Sequence, residues 1–144
     1  MKALLHLLLL DTLLEVRRRS EALIEGLEQE DLGLQGMADA SPPKWHLAHT
    51  TWFFATFVLQ PYLADHRPCD PRWSFQFNSY YEAMGERHPR SERGVLSRPP
   101  IREILDWRAY VDTGLTQVLA NEPTSELKAL GTGFGSIHSR SAMN

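Results

Sequence analysis

The stretch "SPPKWHLAHTTWFF", Ser41 to Phe54, sets two histidines, His46 and His49, three residues apart in an apolar run. Ser41 suits an N-cap and Pro42 and Pro43 suit a first turn, so the sequence predicts a helix from here to about Gln60, stopped by Pro61. Along it His46, His49, Trp52, Phe53 and Phe57 recur at three- and four-residue spacing. That spacing puts His49 on, or at the edge of, the face that packs into a bundle. A histidine among aromatics is either a core residue satisfied by one hydrogen bond or a metal ligand. An i,i+3 pair is not a metal site by itself, because a third ligand must come from another helix.

Working outward, the other strong signals are also helical, and no alternating strand pattern is long enough to count. A first helix is predicted from about Ala3 to Gly26 or Leu27, and its leucine periodicity reads as a buried helix. His6 and Asp11 break the apolar run of "MKALLHLLLLDTLLEV", which is too short to span a bilayer and lacks a small-x-small cleavage site. The connector "EQEDLGLQGMADA" follows. Pro61 to Pro100 holds six of the nine prolines, with a short helix predicted at Ser74 to Ala83. A loop that long inside a domain is usually functional.

A third helix starts after "SRPP", with Ile101, Ile104, Leu105, Tyr110 or Trp107, Val111, Leu115 and Leu119 along one side. Thr124 or Ser125 caps a further start, "SELKAL". It fades into "GTGFGSIHSRSAMN", where three glycines in five residues each cost a helix about 1 kcal/mol. The expected fold class is all-α: a four-helix bundle with an incomplete or irregular fourth helix. A bundle short of its last member leaves a groove open on the neighbours. Self-association as a homo-oligomer through that groove is the expected consequence, with Phe134 and Ile137 as plugs.

Composition narrows the partners. The chain has 144 residues, 42% of them hydrophobic, which is enough for one domain with a real core. A net charge of −3 argues against a nucleic-acid binder, and no segment argues for a membrane protein. The single cysteine, Cys69, excludes an internal disulfide framework, fits a cytoplasmic location, and reads as a loop or half-buried thiol. Lysine is confined to Lys2, Lys44 and Lys128, while arginines cluster. Four of them, Arg87, Arg90, Arg93 and Arg98, fall in "FNSYYEAMGERHPRSERGVLSRP", Phe77 to Pro99. Such a run is either a solvated loop or a set of guanidinium forks that clamps a carboxylate.

Together, "DASPPKWHLAHTTWFF" and "FNSYYEAMGERHPRSERGVLSRP" resemble the N-terminal DinB-like domain of the ergothioneine-biosynthesis sulfoxide synthases, or hercynine oxygenases. The resemblance covers the first helix to about Leu130, which makes residues 1–130 the DinB-like bundle and 131–144 an irregular tail, a truncated or frame-shifted end. It implies an Fe(2+)- and oxygen-dependent enzyme that joins a thiol, cysteine or γ-glutamylcysteine, to hercynine. It implies one iron ligand at His49, the second histidine of "W-x-L-A-H", with His46 no more than a neighbour of the ligand. It also implies two arginines three apart that bind the thiol's carboxylates; Arg90 and Arg93 fit best, with Arg87 as the alternative.

Two departures accompany the resemblance. Ala55 stands where relatives usually carry Glu after "WFF". The "H-x-x-x-H" pair that supplies the other two ligands is missing, which leaves only His138 as a further candidate. The isolated chain is therefore expected to be inactive and to bind iron weakly at best. The other readings are a thiol-dependent DinB-like metal transferase and a non-catalytic helical dimerisation module.

Overall fold

The computed structural model describes residues 2–79 and 86–120. Among them there are six α-helical segments and no strand: α1 (Lys2–Ala22), α2 (Gln29–Leu32), α3 (Pro43–Phe54), α4 (Gln60–Tyr62), α5 (Pro71–Phe77) and α6 (Ile101–Ala120). A π-helical turn, Ala55–Leu59, joins α3 to α4 without a break, and a 3-10 helix, Arg90–Val95, precedes α6. The described residues thus form three long rods and two short helices, α2 and α5. The predicted fourth start at "SELKAL", Phe134, Ile137 and His138 lie outside the described residues.

The rod beginning at Pro43 does not stop at Pro61. Proline removes one N–H from the helical ladder and its ring presses on the carbonyl four residues earlier. The π turn just upstream widens the ladder there, with the Gln60 N–H reaching back to the Ala55 carbonyl, and the helix passes through to Tyr62. Its N-cap also differs from expectation. Pro42 occupies the cap position without a side-chain bond, and the Ser41 hydroxyl serves another group.

The core lies between the α3 rod and α6. Trp45, Trp52, Phe53, Val58 and Leu59 meet Phe77 of α5 and Ile104, Trp107, Val111 and Leu115 of α6. Gly114 lets the rods close up, because a Cβ there would sit 2.7 Å from Leu59 Cδ1. Of the two alternatives on α6, Trp107 is buried and Tyr110 is exposed, its hydroxyl accepting from the Arg67 N–H at 2.8 Å.

Two buried arginines pin α1 to this pair. Arg108 of α6 donates from all three guanidinium nitrogens: to Glu21 Oε1 (3.0 Å), to Leu47 O (3.2 Å), Thr50 Oγ1 (3.0 Å) and Thr51 Oγ1 (3.2 Å), and to Arg17 O (3.1 Å). Arg17 in turn pairs with Asp112 and lies over the Phe54 ring. Because Glu21 meets Arg108 while Arg17 meets Asp112, α1 runs antiparallel to α6.

The reading of α1 as a buried helix needs correction. Leu10 and Arg17 are its only buried residues, and Leu4, Leu5, Leu7, Leu8 and Leu9 are each more than half exposed. The arginine contacts fix α1 by its C-terminal half, and the antiparallel register carries the leucine-rich end toward Ala120, the last described residue of α6. No described helix is long and apolar enough to cross a membrane.

Removing one partner from a buried charge network leaves the others desolvated. Arg108→Met is expected to destabilise the fold by about 3–5 kcal/mol in urea denaturation. Arg18→Ala, which removes only an exposed pair with Glu15, should cost roughly 0–1 kcal/mol. Similar losses for the two variants would refute the node.

Candidate functional site

The predicted ligand His49 sits in a row of rings along α3. Its imidazole stacks on Trp45 at 4.7 Å and 10° and lies 6.0 Å from Trp52 at 21°. Residues 45, 49 and 52 are one helical turn apart, so their rings share a side. Each also donates an N–H to α5: Trp52 Nε1 to Ser74 Oγ at 3.1 Å, Trp45 Nε1 to Gln76 O at 2.8 Å, and His49 Nδ1 to Phe77 O at 2.7 Å. The last carbonyls of a helix have no intrahelical partners, so these rings cap the end of α5. α5 ends at Phe77, short of the predicted Ala83, and Tyr80 to Ala83 lie outside the described residues. At its other end the Asp70 side chain accepts the Arg72 N–H, which moves the start from Ser74 back to Pro71.

The Phe77 carbonyl can only accept, so Nδ1 of His49 carries a proton. In the neutral ring the lone pair is then on Nε2, one of the two arrangements in which an imidazole ligates a metal. Among the described residues, however, no three His, Cys, Asp or Glu side chains come together in a way that could hold a metal ion.

The arginine-rich loop comes to the same place. Arg93 is 4% exposed, with its guanidinium 3.5 Å above the Trp45 ring and Nη1 2.8 Å from Ser41 Oγ. Two groups this close to the indole cannot share a face with each other, so Trp45 is sandwiched between Arg93 and His49. Arg93 Nε is buried without a partner among the described residues. Burial first, then repulsion from Arg90 and Arg87, pushes the Arg93 pKa down to about 10, so it remains charged at neutral pH. The cavity beside it measures only about 10 Å³, room for about one water and not for a carboxylate. Arg90 and Arg87 are half-buried and close enough to act on its charge.

His46 meets the Trp45 ring edge-on at 5.4 Å and is exposed beside an apolar recess of about 370 Å³ lined by Leu23, Ile24, Leu27 and Leu47. Partial loss of hydration, then the charges of Arg93 and Arg90, hold its pKa below the usual imidazole value. Ala55 is buried core at the start of the π turn. Cys69 is half-buried, with burial raising its thiol pKa, as befits an unreactive loop cysteine. His138 lies outside the described residues.

Sequence reasoning missed Trp45, the residue that joins the two halves. The signal was its spacing, four residues before His49 and seven before Trp52. It also missed Gln35 and Lys44, whose polar heads tie down the arginine turn from distant positions.

A family model for the DinB superfamily matches residues 12–142. The chain belongs to the DinB superfamily. No curated protein matches it significantly. In this DinB superfamily chain, then, the helical architecture and the family agree.

A depressed folded-state pKa means that the unfolded chain takes up the proton first. His46 therefore contributes stability that is present above the ordinary value of 6.5 and is lost as pH falls through its lower folded value. His46→Gln should lose less stability than the parent between about pH 7 and pH 5, measured by denaturant unfolding at each pH. Equal losses would contradict the assignment.

Proposed function

We propose that this chain is the N-terminal module of a non-haem iron sulfoxide synthase that joins a thiol, cysteine or γ-glutamylcysteine, to hercynine. The observation that carries the reading is the sandwich at Trp45. A histidine with its Nδ1 proton held by Phe77 O lies on one face of the indole, and the Arg93 guanidinium lies on the other. That juxtaposition suits an enzyme that must bring a charged thiol substrate to a metal-bound centre. The resemblance of the two motifs gives the substrate and metal their names.

Within this reading His49 is one Fe(2+) ligand. The described residues carry that ligand and not the rest of such a site, and His138 is the remaining histidine candidate in the tail. When bound, the metal would supply the oxygen chemistry. The work assigned to this chain's own residues is recognition and orientation. Arg90 and Arg87 take the carboxylates of the thiol substrate, since Arg93 is too enclosed for direct bidentate contact. Arg93 stands behind them as a fixed positive charge braced on Trp45. Phe77 O holds the His49 ring in one tautomer.

Ferrous iron added anaerobically tests the ligand role. The chain should retain less than one equivalent through desalting, and His49→Ala should abolish what is retained. Iron bound equally by the parent and by His49→Ala would overturn the assignment.

A further inference from the structure

The turn that bears Arg90 and Arg93 is a 3-10 helix of six residues, Arg90–Val95. Such short 3-10 pieces have poorer hydrogen-bond geometry than α-helix and do not hold their own shape. Gln35, in the connector after α2, supplies what the turn lacks. Its Nε2 donates to Arg90 O at 2.8 Å and to Ala38 O at 3.1 Å, and its Oε1 accepts the Gly94 N–H at 2.6 Å. All of its directed groups are used, and reversing the amide would set oxygen against two carbonyls. The two loop contacts bracket Arg93, with one before it in the chain and one after.

The fit is tight enough to dictate the neighbouring residue. A Cβ on Gly94 would lie 2.7 Å from Gln35 Cβ and 3.1 Å from its Oε1. Downstream, Lys44 Nζ donates to Leu96 O at 3.1 Å and Ser97 O at 3.0 Å, so the turn leaves the site with its carbonyls held as well. A single neutral side chain that can donate and accept at that reach is a carboxamide; methionine has the length and none of the bonds.

We propose that Gln35 is a positioning residue for carboxylate recognition, its amide setting the backbone at Arg90 and Gly94 so that the arginines converge beside Trp45. This rests on the reading of those arginines as the carboxylate-binding group. Gln35 touches no substrate in this scheme; it acts through the turn.

The test uses the full chain, with γ-glutamylcysteine and the carboxylate-free thiol cysteamine as calorimetric probes and amide hydrogen exchange as the report on the turn. Gln35→Met should speed exchange at the Gly94 N–H and weaken γ-glutamylcysteine binding, each about tenfold, the size of one good hydrogen bond. Cysteamine binding should not change, and the melting temperature should stay within about 4 °C. Gly94→Ala, which drives a methyl into Gln35, should reproduce the loss, and the double variant should be no worse than either single one. Faster exchange with unchanged γ-glutamylcysteine affinity would overturn the proposal and leave the arginine reading standing. Unchanged exchange would overturn it too, since the clamp would then hold nothing. A parent chain that binds both thiols alike would remove the arginine reading itself, and this proposal with it.

Discussion

The guanidinium of Arg108 is the constraint on which the rest of the described structure depends. It is 1% exposed and reaches all three long rods at once, through Glu21 and Arg17 O on α1 and through Leu47 O and two threonine hydroxyls on α3. A buried charge is tolerable only when its hydrogen-bonding capacity is met, so α1, α3 and α6 are committed to one mutual register. The α1 register follows from Arg108–Glu21 and Arg17–Asp112, and it leaves the leucine-rich end of α1 beyond the reach of both arginines. The apolar core sets how closely the rods approach, and the arginines set which residues face each other.

Fixing α3 in this way also fixes the opposite side of the same rod. Thr50 and Thr51 face the arginines, whereas Trp45, His49 and Trp52 look toward α5. The candidate site is thus built on a helix whose rotation is already decided by the core. The end of α5 then orders the rings, and the rings order the arginine turn by stacking. Two of these steps supply contacts to groups that helix geometry leaves over: the Gln76 and Phe77 carbonyls at the end of α5, and the face and Nη1 of the Arg93 guanidinium, whose Nε stays without a hydrogen bond among the described residues. The functional geometry follows from ordinary polar bookkeeping carried out on one helix.

Much of this was legible in the sequence, and the failures have physical causes. The three long rods and the histidine motif follow from apolar periodicity, which reports the face a helix buries. Periodicity is silent about buried charge, so it gave no sign that Arg17 and Arg108 are buried between helices. Ser41 looked like a cap because local rules ignore a guanidinium 52 positions away. Pro61 looked like a stop because its cost is local, and the π turn that absorbs it has no sequence mark. The leucines of α1 looked buried because hydrophobicity gives no register along the bundle. At the site, His49 and the arginines were readable as candidates, but the indole between them was not. Spacing shows a shared face without showing what stacks there.

The account turns on one atom: the His49 lone pair must lie on Nε2 because Phe77 O claims the Nδ1 proton. The nitrogen-15 shifts of the His49 ring, read under conditions where the imidazole is neutral, measure this directly. A protonated, pyrrole-type Nδ1 and an unprotonated, pyridine-type Nε2 are the predicted pair. The reverse pattern, or two averaged nitrogens, would mean that α5 does not orient the ring, and the case for His49 as a ligand would fail.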